Sequence, residues 1–149
     1  MRLRGAGLSP QPWPWLGHPR VLIEHAEEAK GMSLAAAVRE AGYAVAVCPG
    51  PARSERCPLA GDEGCESAHG ADVIVAGLGL GTAQSREVLE ALRARCADIP
   101  LIVEVSPEDR EEWSDLLQGC ETVVSPVTPE ALVTAVRGVL APPGREAEP

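Results

Sequence analysis

The sequence predicts a single α/β domain, a doubly wound five-stranded parallel sheet with helices on both faces. Three observations predict it. Five short β runs alternate with stretches of helical periodicity between residues 20 and 140. The third run, DVIVA (72–76), is apolar without a break, as a strand buried on both faces of a parallel sheet should be. Two later helices open on Ser-Pro-Glu and Thr-Pro-Glu, which combine a capping hydroxyl, a proline at the first helical position and an acid in the first turn.

The first strand is RVLIE (20–24). A helix is expected over SLAAAVREAG (33–42), with Ser33 as cap and Gly42 just past the end. YAVAV (43–47) is the second strand. Residues 48–70, rich in Cys, Pro and Gly, read as a long loop before the third strand. SREVLEALRARC (85–96) has Val88, Leu89 and Leu92 on one face and charges on the other. LIVEV (101–105) is the fourth strand, and SPEDREEWSDLLQG (106–119) reads as one helix from Ser106 to Gly119. ETVVS (121–125) is the fifth strand, and TPEALVTAVRGVL (128–140) is the last helix. Residues 1–19 hold four prolines, Trp13 and Trp15, and read as a flexible arm; their sharper reading is a Pro/aromatic docking motif. Residues 141–149 read as a disordered tail.

The chain has 149 residues, 45% hydrophobic and 23% charged, enough for one domain with an aliphatic core and no Phe. The net charge of −9 argues against nucleic acid and against a polybasic membrane contact. No run approaches the ~20 apolar residues needed to span a bilayer. The N-terminus lacks the apolar stretch of a signal peptide, so a cytoplasmic location is expected. Five cysteines in that setting suggest thiols or metal ligands more than structural disulfides.

Ligands bind such sheets beyond the carboxyl ends of the strands. The residues to inspect there are Glu24, His25, Cys48, Gly77, Val105, Ser106 and Ser125. Their frame resembles the receiver domain of two-component response regulators, of flavodoxin/CheY-like fold, over roughly residues 20–140. VLIEHAE (21–27), DVIVAG (72–77), PLIVEVS (100–106) and SPVTPEAL (125–132) carry the resemblance, with the Pro before the fourth strand and the Gly before the fifth in register. The resemblance implies two acids after the first strand that help hold Mg²⁺ and an Asp ending the third that accepts a phosphoryl group. It also implies a Ser or Thr after the fourth strand and a Lys-Pro pair after the fifth. Here Glu24 and His25 stand at the acid positions, Gly77 at the acceptor and Val105 at the hydroxyl, with Ser106 one place late. Ser125 replaces the lysine and Pro126 is kept. Lys30, the only lysine, is expected in the loop before the first helix. A phosphoryl dianion needs the metal and the lysine to offset its charge, so the expectation is a pseudo-receiver that is not phosphorylated. CPLAGDEGCESAHGADVIV also resembles a segment of actinobacterial receiver-like proteins and brings no activity with it.

Other constellations compete. Cys48, Cys57 and Cys65 fall within 18 residues and His69 follows, a Cys3His set that zinc accepts but without a close Cys pair. Unligated thiols are the ordinary reading, and a redox-sensitive Cys57–Cys65 disulfide is the next. Cys96 and Cys120, at element ends, read as small buried apolar residues. GLGLG (77–81) lies between a strand and a helix, the context of a nucleotide or S-adenosylmethionine loop through Gly77, Gly79 and Gly81, with Glu104 placed to take a ribose hydroxyl. The third glycine comes one residue early, so a Gly-rich turn is the ordinary reading. Glu24 and His25 form a nominal acid–base pair without an assignable partner. Trp113 is an interface candidate if exposed and core filler if buried. The expectation is a regulatory module that binds a protein, with a homodimer open. It needs no cofactor, and zinc is the one alternative. The competing reading is a nucleotide- or S-adenosylmethionine-binding enzyme.

Overall fold

The computed structural model describes residues 18–48 and 65–140. Its elements are β1 (Arg20–His25), α1 (Glu28–Glu40), β2 (Ala44–Cys48), α2 (Glu66–His69), β3 (Val73–Gly77), α3 (Ala83–Arg95), β4 (Leu101–Val105), α4 (Pro107–Glu112), β5 (Glu121–Val124) and α5 (Pro129–Leu140). The strands form one parallel sheet in the order β2-β1-β3-β4-β5. The chain order reverses beside β1, and that reversal opens a crevice at the carboxyl ends of β1 and β3.

The pleat sends alternate residues to opposite faces. Val21 and Ile23 of β1 join Val73, Val75 and Ile102 under α1 and α5, where Leu34, Val38, Leu132 and Val136 close the core. Leu22 and Ile74 face the other way, against Val88, Leu92 and Cys96 of the α3 layer. A third cluster joins Ala76, Leu80, Leu89, Val103, Val105 and Leu117, with Trp113 and Leu116 packed on it. Each fully buried Leu, Ile or Val contributes roughly 1.5–3 kcal/mol. The fully buried side chains of this interior are all aliphatic.

Three expectations about elements need correction. α1 begins at Glu28, five residues before the expected start, and Ser33 lies inside it. Glu28, Ala29 and Lys30 are good helix formers, and their propensity outweighs a capping hydroxyl one turn later. Lys30 is therefore a helix residue. The stretch before β3 contains the single turn α2, so it is not all loop. The helix expected over 106–119 keeps Ser106 as cap and Pro107 at its start but ends at Glu112. None of its residues is buried, so packing does not extend it, and hydrogen-bonded turns carry the chain to Gly119 at φ +86°. Gly42 does end α1, at φ +108°, where only glycine is unstrained. Trp13, Trp15 and Cys57 lie outside the described residues, as do nearly all of the arm and the whole tail.

Candidate functional site

The crevice at the carboxyl edge is a cavity of about 280 Å³. It gathers His25, Gly77, Gly79, Val105, Ser106, Ser125 and Pro126, with Glu27, Lys30, Glu104 and Asp109. Six of the seven residues expected in the phospho-pocket thus meet there. Glu24 does not. It follows Leu22 onto the α3 face, while its neighbour His25 follows Ile23 onto the α1 face. The nominal Glu24–His25 acid–base pair is excluded by the pleat of one strand.

The centre of the crevice is a buried hydrogen-bonded pair. His25 ends β1 in register with Gly77, and Glu104 sits one residue before the end of β4. The Glu27 backbone N–H donates to His25 Nδ1 at 3.1 Å. Nε2 therefore carries the ring proton and donates it to Glu104 Oε1, 3.1 Å away. The other carboxylate oxygen, Oε2, accepts the Val127 N–H at 3.0 Å. Every acceptor and donor of the pair is used, which is what a buried polar group requires.

Gly77 is the floor beneath this pair. A Cβ there would lie 2.7 Å from His25 Cδ2 and 2.9 Å from Glu104 Oε1. Those separations leave no room for any side chain unless the pair moves. The position that resembles a phospho-acceptor is therefore filled by side chains from the two strands flanking β3. The flanking positions are built differently from those the resemblance implies. Ser106 Oγ caps α4 by accepting the Asp109 N–H, and Val105 is buried in the third cluster. Ser125 donates its N–H to Val105 O, and the Ser125–Pro126 peptide is cis. Lys30 is the one cation in a lining that also holds the carboxylates Glu27, Glu104 and Asp109.

Glu24 lies in a separate, apolar cavity of about 10 Å³ under Leu80, Val88, Leu89 and Leu92. It is 3% exposed, and its Oε1 has no hydrogen-bond partner. Burial pushes its carboxyl up from 4.5 to about 7.

The glycine run behaves as a turn closed by its own helix. Gly79 sits at φ +84°, and Gly81 is exposed. Thr82 caps α3, Ser85 Oγ donates to Leu78 O at 3.3 Å, and Arg86 donates to Leu80 O at 2.7 Å. Glu104, expected to meet a ribose, has both oxygens engaged inside the protein.

Of the expected cysteine and histidine set, Cys57 lies outside the described residues. Cys48 and Cys65 pack on the cluster that contains Cys96. His69 turns to Cys96, with Nδ1 3.9 Å from Sγ. Among the described residues, no three His, Cys, Asp or Glu side chains stand where they can hold a metal. Trp113 is partly buried and carries the Arg86 guanidinium 4.3 Å above its ring. It is neither fully exposed nor core.

Sequence reasoning missed the His25–Glu104 pair. Its signal was an acid inside LIVEV, on the face of a buried strand, which needs a partner, beside a glycine that leaves room for one.

No protein-family model matches this sequence, and no curated protein matches it. Solved structures do. The chain is similar to chemotaxis protein CheY4 of Vibrio cholerae, at 19% identity and a TM-score of 0.58, over 83% of this chain and 100% of that one. It is similar to a CheY-like response regulator receiver domain protein of Methanospirillum hungatei JF-1, at 19% identity and a TM-score of 0.60, over 89% and 100%. A response regulator receiver domain protein of Clostridium thermocellum matches at 15% identity and a TM-score of 0.61, over 83% and 94%. At these identities the likeness is one of fold, with the strand order and layers described above. The chain has the fold of a response-regulator receiver domain.

Proposed function

We propose that this chain is a pseudo-receiver, a regulatory signalling module that acts by binding a protein and is not switched by aspartyl phosphorylation. The observation that carries the reading is the His25–Glu104 hydrogen bond lying over Gly77. It occupies the volume a phospho-acceptor side chain would need. The crevice also has Ser125 where the resemblance places the lysine that offsets a phosphoryl dianion. The reading calls for no cofactor.

A protein partner suits the surface beside β5, an edge strand. Val124 is 53% exposed there. It stands in register with Val105, on the sheet face whose cluster includes Trp113. Trp113 under Arg86 and a bare valine on an edge strand suit a partner's apolar side chains. A second copy of the chain is the first partner to test, by sedimentation over a range of concentrations. No helix among the described residues is long and apolar enough to cross a membrane.

The test of the central claim is chemical. The full chain incubated with acetyl phosphate and Mg²⁺ should keep its unmodified intact mass. A stoichiometric phosphoryl adduct would overturn the reading.

A further inference from the structure

Away from the crevice, two cysteines and a histidine from distant parts of the sequence converge between α2 and α3. The His69 N–H donates to Cys65 O at 2.9 Å, closing one helical turn. Cys65 immediately precedes this turn and His69 ends it, with Cys96 just past the end of α3. His69 Nδ1 lies 3.9 Å from Cys96 Sγ, and Cys65 packs on the cluster that buries Cys96. Burial pushes the Cys96 thiol up, and the negative charges of Cys65 and then Glu24 push it further, against Arg95. Cys65 is half-buried and open to a small oxidant, while Cys96 is buried.

We propose that Cys65 and Cys96 are a peroxide-sensitive thiol pair, with His69 as the group that takes the Cys96 proton. A hydroperoxide transfers one oxygen to Cys65 Sγ, giving the sulfenic acid and an alcohol, or water from hydrogen peroxide. Cys96 then passes its proton to His69 Nδ1, and its thiolate attacks the Cys65 sulfur. The S–S bond forms as the S–O bond breaks. The leaving hydroxide recovers the proton from His69 as water. Two thiols and one hydroperoxide become one disulfide, one alcohol and one water. The product ties the start of α2 to the end of α3. The inference stands apart from the function proposed above, because thiol chemistry is independent of whether acetyl phosphate modifies the chain.

The pair differs from the Cys57–Cys65 pairing that spacing suggested, and Cys57 lies outside the described residues. The pair also gives Cys96 a role where its position suggested only filler.

The experiment treats the reduced full chain with hydrogen peroxide, blocks remaining thiols by alkylation and maps unreduced peptides by mass. The expected product is a Cys65–Cys96 linked peptide that disappears on reduction. Cys65→Ser and Cys96→Ser should each abolish it. In Cys96→Ser, Cys65 should accumulate as a sulfenic acid that dimedone traps. His69→Gln should keep the sulfenic acid and slow closure by on the order of 100-fold. The proposal is overturned if Cys65 links instead to Cys48 or Cys57, or if Cys65 and Cys96 are both fully alkylated after peroxide. Closure at the wild-type rate in folded His69→Gln would remove the histidine from it.

Discussion

Glu24 offers a measurable consequence of the fold. Its carboxyl lies among leucines and valines with one oxygen unpartnered, and burial raises it from 4.5 to about 7. In the unfolded chain it ionises near the ordinary value. Between those two values the folded state holds a proton that the unfolded state has lost. Stability must therefore fall as pH rises through this window, with the full loss present above about pH 8. A rise of about 2.5 in pKa corresponds to roughly 3 kcal/mol. Most of that, about 2 kcal/mol, should appear between pH 5 and pH 8.

Glu24→Gln removes the charge and keeps the shape. Its stability should lack this component of the pH slope, whatever the fixed cost of burying an amide. Urea unfolding of both proteins at pH 5 and pH 8 isolates the term, because every other titrating group is common to the two. The gap between their midpoints should change by on the order of 1 M urea across that range. Glu24→Met, which fills the space with apolar atoms, should exceed wild type in stability at pH 8. Parallel pH profiles for wild type and Glu24→Gln would refute the claim that Glu24 is buried without compensation. Removing the Glu24 charge should also make Cys96 easier to ionise, read as faster alkylation at fixed pH, since Glu24 raises that thiol.

Three further outcomes test the crevice and the caps. Glu104→Ala strands the His25 Nε2–H and the Val127 N–H, two buried donors, and should cost about 2–4 kcal/mol in chemical unfolding, with faster hydrogen exchange at Val127. Gly77→Ala should destabilise by about 1–3 kcal/mol, and adding His25→Ala should recover part of that loss in a double-mutant cycle. Ser106→Ala removes the α4 cap and should cost about 1 kcal/mol without altering the crevice pair, read by thermal unfolding and by unchanged protection at Val127.

The frame was legible because it rests on local signals that packing then reinforces. DVIVA is apolar throughout because β3 is central and covered on both sides. Ser106-Pro107 and Thr128-Pro129 start helices where hydroxyls do cap: Thr128 Oγ1 accepts the Ala131 N–H, as Ser106 does for Asp109. α1 starts ahead of Ser33 because Glu28, Ala29 and Lys30 are good helix formers, beside which a capping serine is a weak signal. In the crevice, chain position was legible and side-chain direction was not. Glu24 and His25 are adjacent in sequence, yet their environments share nothing, and one residue of strand register decides that. The Cys96–His69 contact spans 27 residues and two elements, so no local pattern could show it.

Gly77 reads from the sequence as a lost aspartate, and in the structure it lies beneath the His25–Glu104 pair. A carboxylate placed there would approach Glu104 Oε1 to hydrogen-bonding distance or less, since even a Cβ comes within 2.9 Å. Two carboxylates that close cannot both ionise in a buried site. Glu104 is in turn fixed, because it accepts hydrogen bonds from the His25 Nε2–H and the Val127 N–H, so it cannot withdraw without stranding both. The glycine, the histidine and the glutamate therefore imply one another. Restoring an aspartate alone at residue 77 should not restore phosphoryl acceptance, because the site would hold an extra repelling charge and still lack a cation at Ser125. Gly77→Asp exposed to acetyl phosphate and Mg²⁺ should remain unmodified and unfold more easily than Gly77→Ala. A phosphorylated Gly77→Asp of undiminished stability would show that the pair over the glycine is soft, and that the acceptor position is open after all.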